Sequence, residues 1–165
     1  MKFKIAGIVP ESIVDGEGLR FAIFVQGCLH HCKGCQNPHT WDFGCGRFVD
    51  TDAIIDQFLA NELLDGITLT GGEPFMQPDA CLALAKAAKK AGLNVWCYTG
   101  YTLEEIKAEA LRSTKELLRN IDVLVDGRFV EEKKSLDLRF RGSSNQRIIH
   151  LDSGRVVSIE GGDEQ

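Results

Sequence analysis

Three cysteines that lie close together in the sequence are the residues best suited to chemistry. Cys28, Cys32 and Cys35 follow an apolar run and have C-x3-C-x2-C spacing. Thiolates at this spacing can wrap one compact metal centre, and thiolate ligands select zinc, copper(I) or iron–sulfur clusters. An ordinary [4Fe–4S] cluster takes four cysteines. A loop with three would leave one iron open to a substrate, as the vacant position does in a catalytic zinc site.

A structural zinc ion is the alternative that the spacing leaves open, because three cysteines and one histidine form a common closed zinc site. The possible fourth ligands nearby are His30, His31, His39 and Cys45. Cys45 is also a possible fourth ligand for an iron–sulfur cluster. Cys81 and Cys97 are expected in the apolar core, since one lies on the apolar side of a predicted helix and the other within a predicted strand.

A second motif, Thr70-Gly71-Gly72-Glu73-Pro74, directly follows another apolar run. Its two glycines let the backbone approach a ligand closely. The carboxylate of Glu73, beside exposed backbone carbonyls, could receive an ammonium group. Turn chemistry alone favours a plain β-turn here. The three-cysteine loop elsewhere in the chain reverses that preference and favours a binding site.

Alternating strands and helices are predicted to position these motifs. Four short apolar runs are typical of strands: Leu19–Gln26, Ile67–Thr70, Leu93–Tyr98 and Ile121–Val125. Three helices are predicted between them: one that begins after Asp50 or Thr51, one from Pro78 to a stop at Gly92, and one that opens on a Thr102–Glu105 capping box and runs to about Leu118. Arg147–Leu151 and Arg155–Ile159 are expected to form a hairpin.

This order predicts an α/β fold with a mostly parallel sheet and helical crossovers. A closed barrel of eight units typically needs about 250 residues, and this chain has 165. We therefore expect an open, partial (β/α) barrel in a single domain, 1–165, whose last residues, about 160–165, form a disordered tail. The unusual residues follow the strand ends, where parallel sheets bind ligands, so they should converge on one site.

Composition excludes several classes of function. The net charge is −5, with no strongly basic block, which argues against a nucleic-acid partner. The apolar run at the N-terminus is too short for a signal peptide or a membrane span, so we expect a cytoplasmic protein without a membrane partner. In a reducing compartment the six cysteines are not expected to form a disulfide framework.

The cysteine loop and the Gly-Gly-Glu turn together resemble the radical S-adenosylmethionine (SAM) superfamily. In that superfamily three cysteines hold a [4Fe–4S] cluster, and SAM chelates the fourth iron through its amino and carboxylate groups. The resemblance implies that Cys28, Cys32 and Cys35 are the ligands, and that the fold is the partial barrel of that superfamily. The SAM contacts that it implies are Gly34, Gln36, Gly72, Glu73, Thr99, Asp126 and Arg128.

Within that superfamily, the chain resembles the glycyl-radical-enzyme activases more narrowly. Ser12–Arg20 resembles the segment that precedes the cluster loop in those enzymes. Tyr98–Tyr101 and Arg141–Arg147 look like segments of the activases that serve anaerobic ribonucleotide reductases. The resemblance implies that SAM is cleaved reductively, and that the resulting radical removes a hydrogen from a glycine of the large reductase subunit. Asp15 is the candidate contact for that glycine segment.

The resemblance also implies a low-potential electron donor such as flavodoxin or ferredoxin. Two other functions stay open at this point. One is a radical SAM enzyme that acts on another glycyl radical enzyme or on a small molecule such as a deazapurine precursor. The other is a zinc-stabilised binding module without catalysis.

Overall fold

The computed structural model describes residues 1–163, and eight strands form one continuous sheet at its centre. The strands are β1 (Lys2–Ser12), β2 (Arg20–Val25), β3 (Arg47–Asp50), β4 (Gly66–Gly71), β5 (Asn94–Tyr98), β6 (Val123–Asp126), β7 (Arg147–Asp152) and β8 (Arg155–Gly161). The α-helices are α1 (Thr51–Leu59), α2 (Pro78–Lys90), α3 (Leu103–Ala108) and α4 (Arg112–Arg119). Short 3-10 helices span Pro38–Thr40, Pro74–Met76 and Glu131–Lys133.

The sheet order is β3-β1-β2-β4-β5-β6-β7-β8. The four strands that the apolar runs predicted, β2, β4, β5 and β6, are neighbours and run parallel. The other four pairings are antiparallel, at both sides of this parallel centre. The prediction of a mostly parallel sheet is therefore wrong for the sheet as a whole. The fold is mixed α/β, with a parallel core and antiparallel flanks.

The strands that sequence analysis missed are β1 and β3, on one side of the sheet. In β1 only Phe3, Ile5 and Ser12 are buried. No residue of β3 is fully buried. Strands near the edge of a sheet are held by pairing with segments that are distant in sequence, and few of their side chains are buried. They therefore need no apolar run, and no pattern in consecutive residues identifies them. The predicted hairpin of β7 and β8 is confirmed.

The helices begin where the capping residues predicted. The Asp50 side chain accepts a hydrogen bond from the Asp52 N–H at the start of α1. Thr102 and Glu105 form the predicted capping box of α3. The single long helix expected to Leu118 is wrong, because Glu109 is extended and a separate α4 follows. No proline or glycine marks this break, so tertiary packing overrides the local helix propensity.

Two apolar clusters cover the two faces of the sheet. The larger contains buried side chains from all four helices, including Phe58, Leu84, Ile106 and Leu117. The smaller contains buried residues from strands alone, and Trp96 is its largest member. The helices therefore cover one face and leave the other to loops. No helix of the described residues is long and apolar enough to cross a membrane.

The C-terminal segment departs from its prediction. Glu160 and Gly161 belong to β8 and pair with Ile148 and Arg147, so the expected disordered tail is wrong for these two residues. Asp163 forms an ion pair with Lys133. The remainder of the predicted tail, residues 164–165, lies outside the described residues.

Candidate functional site

A cavity of about 360 Å³ lies at the carboxyl ends of the parallel strands. Its walls come from the loops that follow β2, β4, β5 and β6, so the predicted convergence of these loops is present in the structure. Seven of the predicted site residues line it: Asp15, Cys28, Cys32, Cys35, Gln36, Gly72 and Thr99. Its volume is within the range of small-molecule sites.

All three cysteines of the loop face this cavity as free thiols. Burial raises the pKa of the Cys28 thiol, and the backbone N–H of His30 opposes this effect. Burial likewise raises the pKa of Cys32, against the backbone N–H of Phe129. The Asn37 N–H donates to Sγ of Cys35 at 3.4 Å. Backbone N–H groups therefore contact all three sulfurs, and they would stabilise the negative charge that the sulfurs carry when they bind metal.

The arrangement suits a cluster better than a single metal ion. Nowhere in residues 1–163 do three or more His, Cys, Asp or Glu side chains gather around a point that one ion could occupy. The ligands of a four-iron cluster each bind a different iron, so they need only surround a common space. The three cysteines line one cavity and would meet that requirement.

The candidates for a fourth protein ligand are engaged elsewhere or exposed. The His30 ring hydrogen-bonds to Glu73, and the His31 ring stacks on Trp41 with centroids 4.6 Å apart. Cys45 is exposed and donates to Asp42 at 3.5 Å, and His39 is exposed. In the arrangement of residues 1–163, none of these four residues forms a closed metal site with the three cysteines.

The glycines of the second motif bring the backbone to the cavity wall. Gly71 has φ +94°, which favours glycine, and both Gly71 and Gly72 line the cavity. The Gly72 N–H donates to the Val25 carbonyl at 2.8 Å. A side chain at Gly72 would overlap the backbone of Gly27, so at this point the turn and the cysteine loop approach each other closely through main-chain atoms.

Glu73 does not line the cavity, in contrast to the expectation that its carboxylate receives the ammonium of SAM. Its side chain is fully buried. The carboxylate accepts hydrogen bonds from the Thr99 hydroxyl at 2.8 and 2.9 Å, the Gly100 N–H at 2.8 Å and the Phe75 N–H at 3.0 Å, besides its contact with His30. The structure places this carboxylate behind the wall, where it joins loops together.

Three further predicted contacts lie outside the cavity. Asp126 is buried, pairs with Arg147 and accepts the Leu103 N–H at 2.8 Å. Arg128 pairs with Glu105 at 3.2 Å on the surface. Gly34 lies beside the side chain of Glu131, with its φ at +78°.

Sequence analysis did not assign Arg141 to the site, although it quoted the motif that contains this residue. Arg141, Gly142 and Gln146 line the cavity. The Arg141 guanidinium donates from Nη1 to the Gln146 carbonyl at 3.0 Å, while its buried Nε has no partner. Gln146 in turn accepts the Gly142 N–H at 2.9 Å. The signal was the dense run of polar residues between Arg141 and Arg147.

Asp15 lies at the cavity on a rigid support. Its carboxylate accepts from the Ser12 hydroxyl at 2.5 Å, and its carbonyl accepts from the Thr68 hydroxyl at 2.7 Å. Thr68 accepts from the buried Arg20, which also donates to the Glu17 carbonyl at 2.8 Å. Burial lowers the pKa of Arg20 to about 10, which leaves it charged at neutral pH. The Asp15 segment is thus held from both sides.

Comparison with known proteins gives consistent matches. Residues 14–149 match the family model described as a 4Fe-4S single cluster domain. Proteins described as anaerobic ribonucleoside-triphosphate reductase-activating protein are similar over 86% of this chain: that of Haemophilus influenzae is 37% identical, with 93% of its length covered, and that of Escherichia coli K12 is 40% identical, with 95% covered. The protein of the same description from phage T4 is 33% identical, with 90% of its length covered.

Among solved structures, QueE from Escherichia coli has a similar fold, with a TM-score of 0.52 and 18% sequence identity. The match covers 87% of this chain and 64% of the QueE chain. At this identity the likeness concerns the fold alone.

Proposed function

The chain belongs to the family of anaerobic ribonucleoside-triphosphate reductase-activating proteins, and from this premise we propose that it is a radical SAM activase that generates a glycyl radical on an anaerobic ribonucleotide reductase. One observation carries the proposal for the site. The three thiols of Cys28, Cys32 and Cys35 line the same cavity of about 360 Å³ as the backbone of Gly72.

In this proposal the three cysteines hold a [4Fe–4S] cluster. When bound and reduced, the cluster supplies the single electron that splits the C5′–S bond of SAM into methionine and a 5′-deoxyadenosyl radical, which then takes a hydrogen atom from a glycine. The chain's own residues bind and orient the reactants and keep water out. The free thiols of Cys28 and Cys32, whose pKa values are raised by burial, release their protons when they bind iron.

SAM is proposed to lie between the Gly72 backbone and the loop that contains Arg141. Backbone groups of Gly72 and Gln36 and the Thr99 loop offer polar contacts along the cavity wall. The guanidinium of Arg141 has donors to spare for the methionine carboxylate, and a charge-assisted pair of this kind is among the stronger hydrogen bonds in proteins. Glu73, Asp126 and Arg128 act in this proposal through the loops that they hold.

The substrate is proposed to be the large subunit of the reductase, whose glycine-bearing segment enters the cavity beside Asp15. The support of Asp15 by Thr68 and Arg20 favours this role, since a glycine must be held near the reactive carbon, within about 3–3.5 Å. The open, partial barrel with a lateral mouth is part of the proposal, and it is supported by the sheet order, since within residues 1–163 β3 and β8 end the sheet without pairing with each other.

A flavodoxin or ferredoxin is proposed as the electron donor, and the cytoplasm as the location. The six cysteines are all free thiols, which is typical of a reducing compartment.

The test mixes anaerobic, cluster-loaded protein with reductant, SAM and the cognate reductase, and measures the glycyl radical by electron paramagnetic resonance (EPR). We expect a radical on the wild-type reductase and none on its glycine-to-alanine variant. Asp15→Asn should still bind SAM, yet yield far less radical per SAM cleaved. SAM cleavage coupled to a small metabolite, with no radical on any reductase, would contradict the proposed substrate.

A further inference from the structure

His30 lies between two cysteines of the cluster loop and lines the cavity, yet its imidazole is buried and hydrogen-bonded to another loop. The side chain is 6% exposed, and Nε2 lies 2.8 Å from Oε1 of Glu73. A carboxylate that already accepts N–H and O–H groups acts as an acceptor, so the ring nitrogen that faces it carries the proton. The cysteine loop is therefore tied to the Gly-Gly-Glu turn by this buried side-chain hydrogen bond, in addition to the main-chain bond from the Glu73 N–H to the Gly27 carbonyl at 2.9 Å.

The same carboxylate also binds the third loop of the site. Thr99 donates its hydroxyl to Glu73, and Gly100 donates its backbone N–H at 2.8 Å. The loops after β2, β4 and β5 thus meet at one buried group. The β2 loop contacts the Glu73 carboxylate through the side chain of His30, which lies in the sequence between the proposed cluster ligands Cys28 and Cys32.

Packing restricts the His30 ring on two sides. Its edge meets the ring of Tyr101, with centroids 4.6 Å apart and planes inclined by 76°. A Cβ at Gly100 would overlap the imidazole, so only glycine leaves room for the ring on that side. A hydrogen bond and two packing contacts therefore restrict the orientation of the His30 ring.

We propose that His30 is a positioning residue, which sets the cluster loop against the SAM-binding turn so that the open iron and the Gly72 backbone can contact one SAM molecule together. The inference rests on the proposed function and adds a role for a residue of the cysteine motif that is not a ligand. The cluster and the turn belong to different loops, and reactant positioning is sensitive to displacements of about 1 Å. A hydrogen bond between the two loops removes that freedom before SAM binds.

His31, the next residue, provides a matched control. It belongs to the same loop, but it is exposed, stacks on Trp41 and has φ +48°. It has no contact with Glu73 among its hydrogen bonds and so cannot tie the loop to the turn. Asparagine tolerates this backbone conformation, which makes His31→Asn a substitution with little strain.

The experiment compares wild type, His30→Phe, His30→Gln and His31→Asn after anaerobic reconstitution. Four quantities are measured: iron and sulfide per chain, SAM affinity by calorimetry, the EPR spectrum of the reduced cluster with and without SAM, and the melting temperature of the metal-free chain. His30→Phe keeps the aromatic packing and loses the hydrogen bond. His30→Gln keeps a donor for Glu73.

We expect His30→Phe to retain its iron, to bind SAM at least about tenfold more weakly, as outer partners of metal sites do when changed, and to lose most of the SAM-induced change in the EPR spectrum. His30→Gln should recover much of both, and His31→Asn should match wild type. If His30→Phe takes up no iron, the result for His30→Gln decides. A wild-type change in its EPR spectrum on addition of SAM supports the inference. Loss of that change in a protein with a full cluster overturns it.

Wild-type SAM affinity and EPR response in His30→Phe would overturn the inference and leave the proposed function intact. The inference would also be overturned if His30→Phe and His31→Asn lost SAM affinity and EPR response to the extent that their melting temperatures fell, since a purely structural role predicts that pattern. A wild-type protein that binds no cluster, or whose cluster does not respond to SAM, would instead contradict the proposed function itself.

Discussion

Arg147 donates two hydrogen bonds to the carboxylate of Asp126. This ion pair engages a side chain that sequence analysis had given as a SAM contact. Nε donates at 3.0 Å to Oδ1, and Nη2 donates to Oδ2. Asp126 is buried, and Arg147 also contacts Glu104 at 2.7 Å. Hydrogen bonds to these carboxylates raise the pKa of Arg147, so its guanidinium stays charged. Its role is to join β6, β7 and α3.

Replacing Arg147 with Ala should therefore act on stability. We expect a loss of about 3 kcal/mol in the free energy of unfolding, because a buried carboxylate is left without its cation. Urea denaturation of the metal-free chain measures this. Arg128→Ala is the matched control: its ion pair with Glu105 is exposed and should contribute less than about 1 kcal/mol. Equal effects of the two substitutions would contradict this account.

The three cysteines of the loop should behave differently from the others. Replacing Cys28, Cys32 or Cys35 with Ala should abolish cluster incorporation and SAM cleavage, as measured by iron and sulfide analysis. The comparison variants are Cys45→Ala, Cys81→Ala and Cys97→Ala, which replace cysteines that do not line the cavity. Cys81→Ala and Cys97→Ala should affect stability at most, because both thiols are buried in the core. Of these, Cys45→Ala should keep a normal cluster, because the thiol is exposed and does not line the cavity. A normal cluster in Cys32→Ala, or its loss in Cys45→Ala, would show that the ligand set is different.

Arg141→Ala should weaken SAM binding without removing iron. The loss of one hydrogen bond between charged groups costs about 1.5–3 kcal/mol, and calorimetry on the cluster-loaded protein measures it. Arg139→Ala is the control, because Arg139 is exposed, lies over the Phe140 ring at 4.8 Å and does not line the cavity. If both variants bind SAM as wild type does, Arg141 has no part in recognition.

Stability should fall at alkaline pH because two thiols are fully buried. Burial raises the pKa of Cys81 and Cys97 far above the ordinary value of 9.0. Above that value the unfolded chain loses thiol protons that the folded chain retains, so the free energy of unfolding decreases as pH rises. Urea denaturation of the metal-free chain at pH 7, 9 and 10 should show this decline. Cys81→Ala and Cys97→Ala should each flatten it, whereas parallel curves for all three proteins would exclude the mechanism.

Local signals were sufficient for the centre of the fold. The runs that became β2, β4, β5 and β6 are apolar because parallel strands are covered on both faces, and this burial leaves a pattern in consecutive residues. The capping box at Thr102 is similarly contained within four residues. The break between α3 and α4 has no such signal at Glu109, and the antiparallel flanks of the sheet depend on partners elsewhere in the chain.

The residues of the site divide in the same way. The sequence by itself determined the three-cysteine loop, the Gly71–Gly72 turn and their convergence, since spacing within a motif and the ends of parallel strands are local properties. Only the tertiary structure decided which charged groups reach the cavity. Donors from other loops bind the carboxylates of Glu73 and Asp126 away from the cavity, while the connection between β6 and β7 brings Arg141 to it. A buried charge must be paired, and its partner comes from wherever the folded chain supplies one, so no pattern of neighbouring residues can assign it.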